Sequence, residues 1–187
     1  PVVNSPDADY IAWLSADGLT LYFSSNRPGG YGGLDIYMTT RAAKDSPWGT
    51  PVNLGPKINT AQGDGDACVS SNSLELYFTS WCPGGYGNDD IYVARRETIE
   101  DAWGQAINLG PVVNSPYDEE FLSLSPDGLL LLFSERCTGV EPRPGGFGRA
   151  DIWMTRRVSL SAPWEPPVNL GASINGTSED VLPRISP

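Results

Sequence analysis

The sequence predicts an all-β fold, a β-propeller built from four-stranded antiparallel blades. Three observations point there: an internal repeat of blade length, alternating apolar residues inside each copy, and 21 glycines and 17 prolines to supply turns. The repeat is marked by Asn-Leu-Gly at 53–55, 108–110 and 169–171. Each closure is followed by a near copy of the opening Pro1-Val2-Val3-Asn4, or begins one, as in Pro56-Lys57-Ile58-Asn59 and Pro111-Val112-Val113-Asn114. Blade 1 is therefore expected at 1–55, blade 2 at 56–110 and blade 3 at 111–171, with 172–187 as the first strand of a fourth. The third copy is six residues longer, with the extra residues around Thr138 to Arg143. Copies of this period bury their faces on one another, which is what stabilises a blade. A sandwich with coincidental repeats is the alternative.

Each copy reads as four strands, A to D. Strand A is Asp9–Ser15, Asp64–Ser71, Glu119–Ser125 and Glu179–Ser186. Strand B alternates, placing Leu19, Leu21 and Phe23 on one face, and likewise Leu74, Leu76 and Phe78, then Leu129, Leu131 and Phe133. Tyr22, Tyr77 and Leu132 on the other face predict sheets covered on both sides. Ser125-Pro126-Asp127-Gly128 is a strong A–B turn, Ala16-Asp17-Gly18 a weaker one and Ser71-Asn72-Ser73 the weakest. Strand C opens on Asp35, Asp90 and Asp151, acids expected to tie down the N–H groups of the glycine-rich loop before them. Strand D follows Trp48, Trp103 and Trp164, whose indoles are expected to pack the outer blade with each N–H held by a loop carbonyl. No segment leaves room for a long helix.

Charge and composition exclude several functions. Against 12 basic residues stand 23 acidic ones, a net charge of −11, which disfavours nucleic acid and anionic membrane surfaces as partners. The sequence has no histidine, so Ser-His-Asp and Cys-His catalysis and histidine-ligated metals are excluded within it. No apolar run reaches the ~18 residues of a membrane span, so no direct membrane insertion is expected. No cofactor or metal is expected. Gly84 to Tyr92 fits one turn of a calcium β-helix, and Asp64-Gly65-Asp66 with Glu75 imitates a calcium loop. The first lacks its tandem copies and the second its glycine. The three cysteines lack metal spacing. Cys82 and Cys137 share a repeat position in adjacent blades, an expected ~10 Å apart against a disulfide limit of ~7 Å between Cα atoms. The longer third loop leaves a bond between them open.

Leu-Ser-Pro-Asp-Gly at 124–128, the Leu-Tyr-Phe-Ser-Ser-Asn-Arg-Pro-Gly-Gly stretch at 21–30 and the Asp-Ile-Tyr of strand C resemble the TolB-type, WD40-like propeller repeat. The resemblance spans essentially the whole chain. It implies a protein of the bacterial periplasm or outer envelope, a binding scaffold more than a catalyst, often joined to OmpA-like or peptidase domains. Propellers close with roughly four to eight blades, so the remaining blades are expected from a longer chain or from a partner chain.

In such a fold strand A lines the channel, and the B–C and D–A loops share one face. The B–C loops carry Arg27, Tyr31, Trp81, Tyr86, Arg143, Phe147 and Arg149, aromatic and arginine side chains suited to anchoring a partner. Tyr31, Tyr86 and Phe147 share one repeat position, where packing of the loop on its blade is the alternative. One strand A position is acidic in every copy, Asp9, Asp64, Glu119 and Asp180. It forms either an acidic mouth for a cation or basic peptide, or a set of local pairs, with Arg136 opposite Asp118 or Glu119. Trp13 departs from its counterparts Cys68, Ser123 and Arg184 and is a candidate channel residue. The expected function is a non-catalytic binding or scaffold module for a protein, peptide or glycan. The alternatives are a propeller gating or supporting an enzyme of the serine peptidase type, or a structural subunit of an envelope complex. A glycosidase using Asp9, Asp64 or Glu119 is disfavoured, because the same position repeats in every blade while hydrolysis needs two carboxylates in distinct environments.

Overall fold

The computed structural model describes residues 3–137 and 143–185, which form twelve strands and no helix. Strands β1 (Asp9–Leu14), β2 (Thr20–Ser25), β3 (Asp35–Thr40) and β4 (Val52–Asn53) make the first four-stranded sheet. The second is β5 (Asp64–Val69), β6 (Glu75–Ser80), β7 (Asp90–Arg95) and β8 (Ile107–Asn108), and the third β9 (Asp118–Leu124), β10 (Leu130–Arg136), β11 (Ala150–Arg156) and β12 (Val168–Asn169). Every neighbouring pair is antiparallel and in chain order. Of the strand A expected at Glu179–Ser186, the described residues 179–185 form no strand and make one isolated bridge, Glu179 to Ala150. They hang instead on the third blade, with Asp180 N donating to Ala150 O (2.8 Å) and Ile185 N to Ser123 Oγ (3.0 Å). The insertion expected around 138–143 lies outside the described residues apart from Arg143.

The central blade is covered on both faces, as the double-sided alternation requires. Leu76 and Phe78 join Tyr22, Ile36 and Ile58 in the core shared with the first blade. Tyr77, Ile91 and Val93 join Leu122, Leu131, Phe133 and Trp153 in the core shared with the third. A polar clasp closes each connection. Asn114, from the connector after the second blade, reaches back to β7: its Oδ1 accepts from Ile91 N (2.9 Å), and its Nδ2 donates to Ile91 O (3.1 Å) and Asn108 Oδ1 (2.8 Å). Asn59 and Asn175 repeat this on Ile36 and Ile152. An amide suits the place because one short side chain presents donor and acceptor together, as a backbone peptide does.

The outer tryptophans differ from expectation. Trp103 Nε1 and Trp164 Nε1 have no hydrogen-bond partner. The rings are covered instead by guanidinium groups, Arg41, Arg96 and Arg157 lying 4.3, 4.2 and 4.7 Å from the centroids of Trp48, Trp103 and Trp164. Each arginine Nε also donates to a carbonyl of its A–B turn, Gly18, Ser73 or Gly128. The stack is a cation–π contact that leaves the indole edge unused.

The A–B turns need a left-handed residue at their last position, which is Gly18 (φ 75°), Gly128 (φ 71°) and, in the second blade, Ser73 (φ 59°). Serine carries a Cβ into a conformation that costs L-residues roughly 1 kcal/mol. Ser73→Gly is therefore expected to stabilise the protein by about 0.5–1 kcal/mol, offset in part by the greater freedom of glycine in the unfolded chain. A urea midpoint that falls would contradict the assignment of strain to this turn.

Candidate functional site

The repeated acids of strand A hold the connectors that precede them. Asp9, Asp64, Glu119 and Asp180 accept hydrogen bonds from the N–H groups of Ser5, Thr60, Ser115 and Gly176, each four residues earlier. The strand C acids do the same for the B–C loops. Asp35 accepts from Tyr31 N and Gly32 N, Asp90 from Tyr86 N and Gly87 N, and Asp151 from Phe147 N. These loops lie hard against the next connector. A Cβ on Gly32, Gly87 or Gly148 would stand 2.1, 2.0 or 2.3 Å from the carbonyl oxygens of Gln62, Tyr117 or Ser178. Glycine is required there by contact with backbone, which cannot move aside.

Arg27 and Arg143 are built into their blades. Arg27 pairs with Asp9 at 2.8 Å and lies over Phe23 and Tyr37. Burial raises the Asp9 carboxyl, but Ser25, Ser5 and Arg27 outweigh it and hold the group well below the usual range. Arg143 pairs with the buried Glu135 at 2.6 Å and lies over Trp153. Glu119, fully buried beside them, is pushed up to about 9, mainly by burial, with Ser115 opposing and Glu135 adding to the rise. Arg136 stands opposite Asp118, one of the two partners the expected register left open, but its guanidinium pairs with Glu120 at 3.4 Å.

The loop aromatics remain outward. Tyr31, Tyr86, Phe147 and Trp81 are about half exposed, and Arg149 is exposed. Trp13 lies at the hub, packed against both cores with the Arg184 guanidinium 5.8 Å from its ring.

A recess forms where the A strands converge. Each strand A bulges at one repeat position and takes a left-handed backbone there: Ile11 (φ 26°), Asp66 (φ 50°) and Phe121 (φ 57°), with Leu182 (φ 61°) at the same place in the last copy. A bulge breaks the alternation and re-aims the side chains beside it. Here it brings Asp66 and Glu120 together with Asp89 from the second B–C loop around a cavity of about 310 Å³, walled by Tyr10, Trp81 and Phe121. Asp66 also accepts from Phe121 N at 2.8 Å, joining the bulges of the second and third blades. A further hollow bordered by Tyr10, Leu34, Gln62 and Trp81 continues it outward between the first two blades.

Four carboxylates line this mouth, the fourth being the connector-holding Asp64, and the Arg136 guanidinium lies beside Glu120. Burial raises Asp66 against the hydrogen bond from Phe121 and the charges of Arg184 and Arg136. Asp89 is pushed up to about 6 by burial and then by Asp118, Asp66, Asp90 and Asp64. Glu120 is pushed up to about 7 by burial, with Arg136 opposing and Asp66 and Asp89 reinforcing. Such a group of acids favours a positively charged occupant or takes up protons near neutral pH. In the sequence Asp66 and Asp89 surface only through discarded calcium patterns, and Glu120 and Tyr10 not at all. The available signal was departure from the repeat: Tyr10, Gly65, Glu120 and Val181 share one position, and Leu34, Asp89 and Ala150 another.

No family model and no curated protein matches the chain. Solved structures do. TolB from Acinetobacter baumannii aligns at 15% identity and TM-score 0.57 over 96% of this chain and 36% of that one. A putative TolB from Agrobacterium tumefaciens aligns at 15% and 0.56 over 87% and 50%. An α-L-arabinofuranosidase from Lactobacillus brevis aligns at 13% and 0.56 over 84% and 53%. The fold is thus the TolB-like propeller type, and the chain spans about half or less of the length of the TolB structures it matches. The expectation that the chain is not an enzyme is corrected by the third likeness. A glycosidase shares the fold, and lack of histidine does not exclude a reaction that carboxylates can carry.

Proposed function

We propose that this chain is the ligand-binding part of a β-propeller, with its site at the channel mouth formed by Asp66, Asp89, Glu120, Tyr10 and Trp81. The observation that carries the reading is the cavity lined by Asp64, Asp66, Asp89 and Glu120, acids of raised pKa, between two half-exposed aromatic rings. The occupant that fits is a protein or peptide segment bearing positive charge, since the acids supply the counter-charge and the rings a cation–π wall. The loop residues Tyr31, Tyr86, Phe147 and Arg149 form the rim along which a longer partner continues. Further blades, from the same or another chain, belong to this proposal, as does the bacterial envelope location implied by the TolB-type repeat.

A second reading is supported by the Glu120 and Asp89 shifts. A carboxyl held protonated near neutral pH beside an ionised one is the pair that glycoside hydrolysis requires. One panel separates the two. Lysine- and arginine-containing peptides and neutral oligosaccharides are titrated into the protein and into Glu120→Gln, with released sugar measured alongside. The binding reading expects peptide affinity to fall about tenfold in the variant, the loss of one charge-assisted contact. Sugar release that disappears in the variant would establish the second reading, and unchanged peptide affinity would reject the first.

A further inference from the structure

Two blades hold one of their own arginines in the same slot, and the central blade has a cysteine at that place. In the first blade Arg27 Nε donates to Ser25 Oγ (2.9 Å), and Nη2 to Asp9 Oδ1 (2.8 Å) and Val3 O (2.7 Å). The guanidinium lies 4.9 and 5.0 Å from the Phe23 and Tyr37 centroids. Arg143 in the third blade is held by Glu135 and Trp153. The loop sequences align as Arg-Pro-Gly-Gly at 27–30 and 143–146, but as Cys-Pro-Gly-Gly at 82–85.

The rest of the slot is retained in the central blade. Phe78 and Tyr92 stack at 5.9 Å and 25°, against 6.1 Å and 22° for Phe23 and Tyr37. Ser80 and Asp64 stand where Ser25 and Asp9 do. Asp64 is 1% exposed, and its Oδ1 and the Ser80 Oγ both lack a hydrogen-bond partner. These are the counterparts of the two side-chain oxygens that Arg27 satisfies. The Ser80 hydroxyl lies beside the carboxylate without completing a bond, and burial raises the Asp64 carboxyl despite Ser80 and Thr60. The short Cys82 ends near the Tyr92 hydroxyl, and on the loop side of Cys82 lies a cavity of about 300 Å³ bordered by Gln62, Trp81 and Pro83.

We propose that this slot of the central blade binds an arginine side chain of a partner protein, its guanidinium passing Cys82 to stack beside Tyr92 and bond Asp64 and Ser80. Arginine is selected over lysine because a planar fork can meet two oxygens while lying flat on a ring, which a tetrahedral ammonium cannot. The inference rests on the binding reading for the existence of a protein partner; Asp64 also borders the channel mouth, and a substitution at Glu120, which is no part of the slot, separates the two.

The test uses N-acetyl-arginine amide as probe and N-acetyl-lysine amide as control, with the alkylation rate of Cys82 followed by peptide-resolved mass spectrometry. Filling two-thirds of the slots with the arginine probe is expected to slow Cys82 alkylation about threefold by mass action, and the lysine probe to leave it unchanged. Glu120→Gln is expected to retain this protection whatever it does to peptide binding. Cys82→Arg, which supplies the guanidinium from within, is expected to raise Tm by about 2–4 °C, as a gain of roughly one good contact does in a chain of this size. Unslowed alkylation, equal slowing by lysine, protection lost in Glu120→Gln, or a lower Tm in Cys82→Arg would each overturn the assignment.

Discussion

Asn114→Ala is expected to destabilise the protein by about 1–3 kcal/mol, the cost of leaving one buried polar group, Ile91 N, unpaired. The side chain is 2% exposed and satisfies Ile91 N, Ile91 O and Asn108 Oδ1 at once. Alanine removes all three bonds; Ile91 O keeps Leu109 N and Asn108 Oδ1 keeps Gly110 N, but Ile91 N is left unpaired in a place closed to solvent. Asn4 supplies the control. It holds the same repeat position but is exposed, so Asn4→Ala should change stability by no more than about 0.5 kcal/mol. Urea unfolding of the two variants, read as midpoints at a common m-value, decides the matter. Equal effects at the two positions would show that the asparagine acts through local turn propensity and not as a clasp between blades.

Glu75→Ala is expected to cost about 3 kcal/mol, the penalty for leaving a buried charge without its partner. Arg157 of the third blade is 1% exposed and gives its Nη2 to Glu75 Oε2 of the second at 2.6 Å. Gly128 O and Leu160 O keep two of its other N–H bonds in the variant, which places the loss at the lower end of the range. Arg95 also pairs with Glu75, at 2.8 Å, but is half exposed and contributes little. Burial raises the Glu75 carboxyl, while Arg157 and then Arg95 outweigh it and leave the folded pKa below the usual value. The unfolded state therefore binds the proton more readily, and the contribution is complete above the ordinary glutamate pKa of about 4.3. It is lost as pH falls below that value through the lowered folded pKa. Chemical denaturation at pH 7 and pH 3 should show the gap between wild type and Glu75→Ala shrinking at the lower pH. A gap that widens would refute the linkage.

Most of the framework was legible in the sequence because it repeats. Strand boundaries, the antiparallel order, the Ser-Pro-Asp-Gly turn and the loop-binding role of Asp35, Asp90 and Asp151 each recur at one spacing. Any reading that fits one copy must then fit the others. Repetition also hid what it could not average. The bulge occupies one position in every strand A, but Ile11, Asp66, Phe121 and Leu182 share no chemistry, and none is glycine. The bond from Phe121 N to Asp66 Oδ2 ties two of these bulges together across blades. Likewise Arg27 and Arg143, read as partner-facing from their loops, turn inward because aromatic rings of their own blade and a carboxylate, Asp9 of strand A or Glu135 of strand B, offer a better place than water.

The amino-acid order alone determined that similar sheets stand side by side, which faces they bury, where the hairpins turn and which face gathers the loops. These follow from periodicity and turn chemistry, which act over a few residues. Only the tertiary structure decided which acids stay committed to the framework and which meet at the channel mouth. Asp64 and Asp66 are two residues apart at the edge of one cavity, yet the first spends an oxygen on a connector and the second accepts from Phe121 N of the next blade. A single extra residue in the strand separates their fates, and whether a carboxylate finds an N–H, a guanidinium or another carboxylate depends on the neighbouring blade, which local sequence does not encode.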